Sequence, residues 1–386
     1  MKIIYIQIDE DIIYIVRYME KDLGYRKIQI TGRGSYIISL PKKWIKELKL
    51  ERGEEIAFKA RGDSTLLLLP RKILEGRKET KQPSLKEYRI FARSHDDPQS
   101  ICRKIISLYV VSANIIRIRF LNGEIPPEHK TAINNLIKNM LLGSEIIDET
   151  ANEITIQVLV DHPEFPVEKA IRRMAILALS ANKDAVLALR EFDENRINSV
   201  VETCNDVNRL NLYVIRQLKY GLEKDLFREL GFKTRKEFLG YRIVANDIRS
   251  IAINAMNLVN NILTLKKMIR DQMLFLKTSV DEEVYSQILK FNSQVHLFFE
   301  ESLKALFKRD YDRADKLLSE IESFAALESD LITLISTKKM DPNVSSILRL
   351  IIDNSRRIIE YSRDIAEVTM NRTVEEIIEQ LQTSRL

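Results

Sequence analysis

Between Arg26 and Lys46 the chain sets Arg26, Lys27, Arg33, Lys42, Lys43 and Lys46 close together, interleaved with Gly32, Gly34 and Ser35. Cationic side chains at that density neutralise a polyanion. A serine hydroxyl and glycine-turn amides add hydrogen bonds to phosphate oxygens. Arg26 and Arg33 can also pair bidentately with guanine, so they are the candidates for base reading. Residues 26 to 72 hold twelve basic and five acidic side chains, a net of +7, in a chain whose total is +5. The remainder therefore nets −2, and the whole positive excess sits in this one stretch, which points to nucleic acid. No paired acids, nucleophile with a base or nucleotide-binding loop stands out elsewhere, so no catalytic residue is nominated and an enzyme is not expected.

The elements that must hold these cations can be read locally. Ile28 and Ile30 alternate with Lys27, Gln29 and Thr31, and strand character resumes over Tyr36 to Leu40 after the Gly32-Arg33-Gly34-Ser35 turn, where glycine supplies the positive φ. Pro41 closes that strand and opens a short helix over residues 42 to 48. Strands at residues 55 to 59 and 66 to 69 follow, the last ending at Pro70.

The run RKIQITGRGSYIISLPKKWIKELKLERGEEIAF, with its G-x-S, L-P-K and L-x-x-G-x-x-I, resembles the AbrB/SpoVT swapped-hairpin domain. The resemblance covers residues 26 to 72 and implies an interlocked two-chain β-barrel that lays basic side chains along double-stranded DNA. It therefore implies a homodimer through the barrel.

Length and composition bound the rest. A chain of 386 residues with 45% hydrophobic and 30% charged side chains is expected to hold several globular domains. No apolar run reaches membrane-spanning length, and residues 1 to 18, though apolar and β-prone, lack the marks of a signal peptide. They read as an extra strand or, if Met19 is the true start, as sequence ahead of it; a cytoplasmic location is expected. Cys102 and Cys204 read as buried thiols. His95, His129, His162 and His296 show no metal-ligand spacing, so no cofactor is expected.

The organisation that follows is an N-terminal extension over 1–25, the DNA-binding domain over 26–73, a polar linker over 74–86, a small α+β module over 87–163, and two helical bundles over 167–272 and 281–380. In the module, strands at 88–92, 115–120, near 146 and at 154–160 alternate with helices after Asp97-Pro98 and Pro126-Pro127. Ile101, Ile105, Leu108 and Ser112 share one helix face; the module either spaces or dimerises its neighbours or senses a ligand. The helical part repeats at an offset of 117, pairing Ala188 with Ala305, Leu189 with Leu306, Asp193 with Asp310, Arg196 with Arg313 and Leu210 with Leu327. Asp193 and Asp310 read as N-caps. Val244 to Leu265 and Ile347 to Val368 carry apolar seams, and residues 219 to 240, with Gly221, Gly231 and Gly240, read as a link. The fold class is thus multidomain α+β: a small swapped-hairpin β-barrel, a small α+β module, then mainly α tandem three-helix bundles.

Repeats of this layout, with Ile358 to Glu367 in the last helix, resemble the PhoU family over about residues 167 to 380. That resemblance implies negative regulation of phosphate uptake and intracellular phosphate homeostasis, with a phosphate ABC transporter component as partner. It also implies carboxylates four apart that bind iron or zinc clusters, but here only Glu202 and Asp206 keep the spacing. The matching positions read Cys204, Asn208, Ile253, Ile321 and Ala325, with Glu360 remaining, so a metal site is not expected. Two functions stay open: a DNA-binding regulator whose bundles sense phosphate status, and a dimeric adaptor that docks on a transporter or kinase without DNA. An antitoxin is disfavoured by the two large bundles.

Overall fold

The computed structural model describes residues 4–8, 11–15, 23–32, 34–60, 66–71, 85–121, 123–160, 165–191, 193–271 and 280–383. Contacts divide the chain into two units, Met1–Ser84 and Leu85–Leu386.

The first unit is built from hairpins. Strands β1 (Ile4–Ile8) and β2 (Asp11–Ile15) pair antiparallel, where the sequence suggested a single strand. Strands β3 (Gln29–Thr31) and β4 (Ser35–Ile37) pair with Ile30 opposite Tyr36, across a turn in which Gly32 and Gly34 take φ of 58° and 105°. Helix α1 (Lys42–Glu47) starts directly after Pro41, and β5 (Ile56–Ala60) pairs with β6 (Leu66–Pro70). The strand expected to reach Leu40 ends at Ile37. Among the described residues these are three separate two-stranded sheets, which do not close into a barrel.

The second unit begins with a four-stranded sheet in the order β7 (Glu87–Ala92), β8 (Ile115–Phe120), β10 (Glu153–Val158), β9 (Ser144–Glu149). Strands β7 and β8 run parallel, joined through helix α2 (Pro98–Val110); α3 (Pro127–Met140) lies between β8 and β9, and the other pairings are antiparallel. Asp97 caps α2 through the amides of Gln99 and Ser100. Ile90, Ile116, Ile118, Phe120, Ile154, Ile156 and Val158 are buried with Ile101, Ile105, Ile133 and Leu136 from the helices. Ser112, placed on the first helix by periodicity, lies past its end with φ of 68°. Lys86 is bonded into this module through Asn114.

Six helices complete the unit: α4 (Val167–Glu191), α5 (Glu194–Lys224), α6 (Glu237–Arg270), α7 (Glu282–Lys308), α8 (Tyr311–Thr337) and α9 (Pro342–Thr383). The first three pack together, as do the last three, and the two bundles meet chiefly along α6 and α9. Asp193, Asp281 and Asp310 accept backbone N–H bonds at the starts of α5, α7 and α8, and Asp341 does so at α9, just ahead of Pro342. Val244, Ile248, Ile251, Ala255, Leu258, Ile262 and Leu265 are all buried, as the seam predicted. The link between α5 and α6 is shorter than the glycines implied, because Gly221 and Gly240 lie inside helices. A Cβ at Gly221 would meet Leu230 at 2.2 Å, and one at Gly240 would meet Val368 at 2.5 Å; both glycines serve close packing. The chain is multidomain α+β, small hairpin sheets and an α/β module followed by a mainly helical region.

Candidate nucleic-acid interface

Helix α1 carries Lys42, Lys43 and Lys46 exposed, with Trp44 and Ile45 half-buried on the other side of its short turn. Lys46 in the last turn complements the negative end of the helix. Arg26 is exposed, its guanidinium donating to the Tyr25 carbonyl at 2.7 Å, and Lys27 beside it is exposed too. Ser35 opens β4 opposite Thr31 and is exposed, so its hydroxyl faces solvent at the glycine turn. Arg33 lies outside the described residues, as does much of the expected linker. Further exposed cations, Lys49, Arg52, Lys59 and Arg71, belong to the same unit. Only their contribution to the net charge signalled them.

The hydrophobic side chains around these cations are the more unusual feature. Ile28, Ile30, Tyr36 and Phe58 are 69%, 67%, 74% and 63% exposed, and no residue of α1 is buried. Apolar strand faces of this kind cost free energy until another surface covers them.

Residues 29–75 match the family model described as antidote-toxin recognition MazE, bacterial antitoxin. The first unit holds a MazE/AbrB-like domain. Among solved structures, the chain is similar to PhoU from Pseudomonas aeruginosa, at 16% identity and a TM-score of 0.39, covering 54% of this chain and 96% of that one. It is also similar to the phosphate transport system regulatory protein PhoU from Streptococcus pneumoniae, at 14% identity and a TM-score of 0.42, covering 53% and 91%. Comparison with curated proteins returned no match. No helix among the described residues is long and apolar enough to cross a membrane.

The carboxylates of the helical repeats do not fit a metal cluster. Glu202 and Asp206 are exposed on α5, and no group of three or more His, Cys, Asp or Glu among the described residues comes together to hold an ion. Glu360 accepts from Arg356 at 2.7 Å, and the same guanidinium bonds Asp353 at 2.7 Å and stands 3.6 Å from Glu328. In the first repeat Arg249 donates to Asn208 at 2.8 Å. A guanidinium therefore already supplies the positive charge between the second and third helices of each repeat. Cys204 is buried and donates to the Ala252 carbonyl at 3.0 Å, and burial pushes its thiol up to about 12. His129 Nε2 bonds the Asp96 carbonyl at 2.8 Å, while His296 Nε2 bonds Asn182; burial, then the charge of Lys183, lowers His296 to about 4. His162 lies outside the described residues.

Two polar centres that local sequence gave no sign of hold the second unit together. Arg216 of α5 is buried and donates to the carbonyls of Tyr109 and Ala113 at 2.7 and 2.9 Å, so a cation caps the C-terminal end of α2 and seats the module on the first bundle. Glu237, the first residue of α6, accepts from the amides of Lys233 and Thr234 and pairs with Arg309 at 2.8 Å and with Arg372. A cavity of about 460 Å³ opens beside it, lined by Lys233, Lys236, Gly240, Val368 and Arg372 among others.

Proposed function

We propose that the chain is a dimeric DNA-binding transcriptional regulator of phosphate uptake and intracellular phosphate homeostasis, acting in the negative sense. The observation that carries the DNA part is the exposed cationic set Arg26, Lys27, Lys42, Lys43 and Lys46, with Ser35 at the glycine turn, on a unit whose described apolar strands are largely exposed and fit to be covered by a second chain. Two copies then close the barrel and present two such sets to one duplex, which raises affinity through phosphate neutralisation. Arg33 and Arg26 read guanine. The phosphate part rests on the sequence resemblance of the helical repeats, which serve as the sensing or partner-docking region.

The test is DNA binding by the full chain, titrated against salt on duplexes from upstream of phosphate-uptake genes and on control duplexes. We expect preference for the former and a steep salt dependence. Replacing Lys42, Lys43 and Lys46 together by alanine removes six lysines from the dimer and about five units of the salt slope if each contacts a phosphate. A chain that binds neither probe at low salt leaves the barrel as a dimerisation device and the adaptor reading in its place.

A further inference from the structure

The α/β module has one sheet face beneath α2 and α3 and one against which no helix of the described residues is packed. Register fixes what the open face carries. Arg89, Arg117, Thr155 and Asp148 align in one row across β7, β8, β10 and β9. In the next row Phe91, Arg119 and Glu153 align, and in the third Glu87, Ile115, Gln157 and Glu145. Period-two alternation on β7, β8 and β10, with a bulge in β9 that shifts its register between Thr155 and Ile156, puts these positions opposite the buried Ile116, Ile118, Ile154 and Ile156; Thr155 is itself buried beneath Arg117, which donates to its hydroxyl at 3.3 Å. The face is unevenly charged: Arg89, Arg117 and Arg119 lie on β7 and β8 with a single acid, Glu87, while β9 and β10 carry Glu145, Asp148 and Glu153 and no cation.

We propose that this open face is an interface with the same face of a second copy of the chain. A two-fold axis parallel to the strands, running between β8 and β10, turns one sheet over the other and sets β7 against β9. Arg89 then meets Asp148 of the second copy, and Arg119 meets its Glu153, each contact made twice by symmetry. Glu87, which the operation brings toward Glu145 of the second copy, is already held at 2.8 Å by Arg117 and stands 3.6 Å from Arg89. Strand β7 also carries Phe91, 46% exposed, which the same packing covers.

Size tells when the contact forms. Four strands of six residues make a face of about 400 Å², roughly half of the 800 Å² per partner of a standard interface. Alone it does not hold two chains together. Once the first unit has paired two chains, the tether raises the effective concentration into the millimolar range, where a weak self-complementary face is occupied. The inference rests on that barrel dimer, and the module becomes the second point at which two copies are registered.

The experiment uses the full chain with Gln157→Cys, beside the proposed axis, treated with a short bismaleimide. Cys102 and Cys204 are buried, and Lys104→Cys on the exposed side of α2 measures cross-linking due to tethering alone. We expect Gln157→Cys to give covalent dimer well above that control. Adding Arg89→Asp places like charges together and lowers the yield by about fivefold, while Arg89→Asp with Asp148→Arg restores it. Arg89 is 66% exposed, so neither change disturbs the fold. A yield no greater than the control, or one indifferent to the charge changes or not restored by the exchange, overturns the proposal. If sedimentation shows a dimer in that case, only the face is lost; a monomer takes the barrel dimer down with it.

Discussion

At the scale of single residues, Asp247 shows how burial becomes a pH effect. It sits on α6 with its side chain buried and Oδ2 lacking a hydrogen-bond partner. Burial first, then the charge of Asp364, raises its carboxyl to about 7. In the unfolded chain the same group ionises near pH 4. Between those values the folded state binds the extra proton, so stability falls as pH rises, and the loss is complete above the folded value. Three units correspond to about 4 kcal/mol at most. Asp247→Asn removes the titration. The variant should gain stability over the parent at pH 8 and match it near pH 4, as read from urea midpoints at both values. Equal midpoints at pH 8 would show that the carboxylate is not penalised in the fold.

At the scale of elements, the ends of helices do as much as their seams. Glu237 is 2% exposed, and it compensates Arg372, 6% exposed, and Arg309, 17% exposed. These residues stand at the start of α6, late in α9 and just past the end of α7, so one carboxylate pins three helices from both bundles. Truncating it takes the carboxylate from the buried Arg372, while Arg309 keeps its pair with Glu376. Glu237→Ala should cost about 3–5 kcal/mol, measured by thermal or urea unfolding, with Glu237→Gln losing less because an acceptor oxygen remains. A loss under 1 kcal/mol would mean that water takes the carboxylate's place. None of this was legible beforehand, because the partners of Glu237 are distant in sequence. The helices were legible, since their stabilisation comes from apolar residues at helical spacing such as Val244, Ile248 and Ile251, and Asp193 and Asp310 announce their own caps. Gly221 and Gly240 misled for the opposite reason: a glycine read locally is a breaker, but these two exist for Leu230 and Val368. The candidate site was legible as far as charge density goes, because Lys42, Lys43 and Lys46 share six residues of helix. The open face of the module was not, since strand order and register had to bring Arg89 and Asp148 into one row.

At the scale of the whole molecule, the two units ask for different things. Residues 85–386 contain both buried cores, those of the module and of the helical bundles, and these hold nearly all the buried hydrophobic residues among the described ones. The hairpin unit leaves Ile28, Ile30, Tyr36 and Phe58 mostly exposed, so association that covers them adds to its folding free energy. Its melting should therefore depend on protein concentration while the helical unit's does not. Phe58→Asp separates the two. Burying a phenylalanine contributes roughly 2 kcal/mol, and a symmetric dimer loses it twice, so association should weaken by about a thousandfold. Helical circular dichroism should hold, because the long helices all lie beyond residue 85. DNA binding should fall in step with dimerisation, because a single chain offers only half of the cationic surface and an unclosed barrel to carry it. Sedimentation and DNA titration on the same sample decide the matter: a Phe58→Asp chain that stays dimeric through residues 1–84 and keeps its DNA affinity would place the pairing of the two chains elsewhere in the molecule.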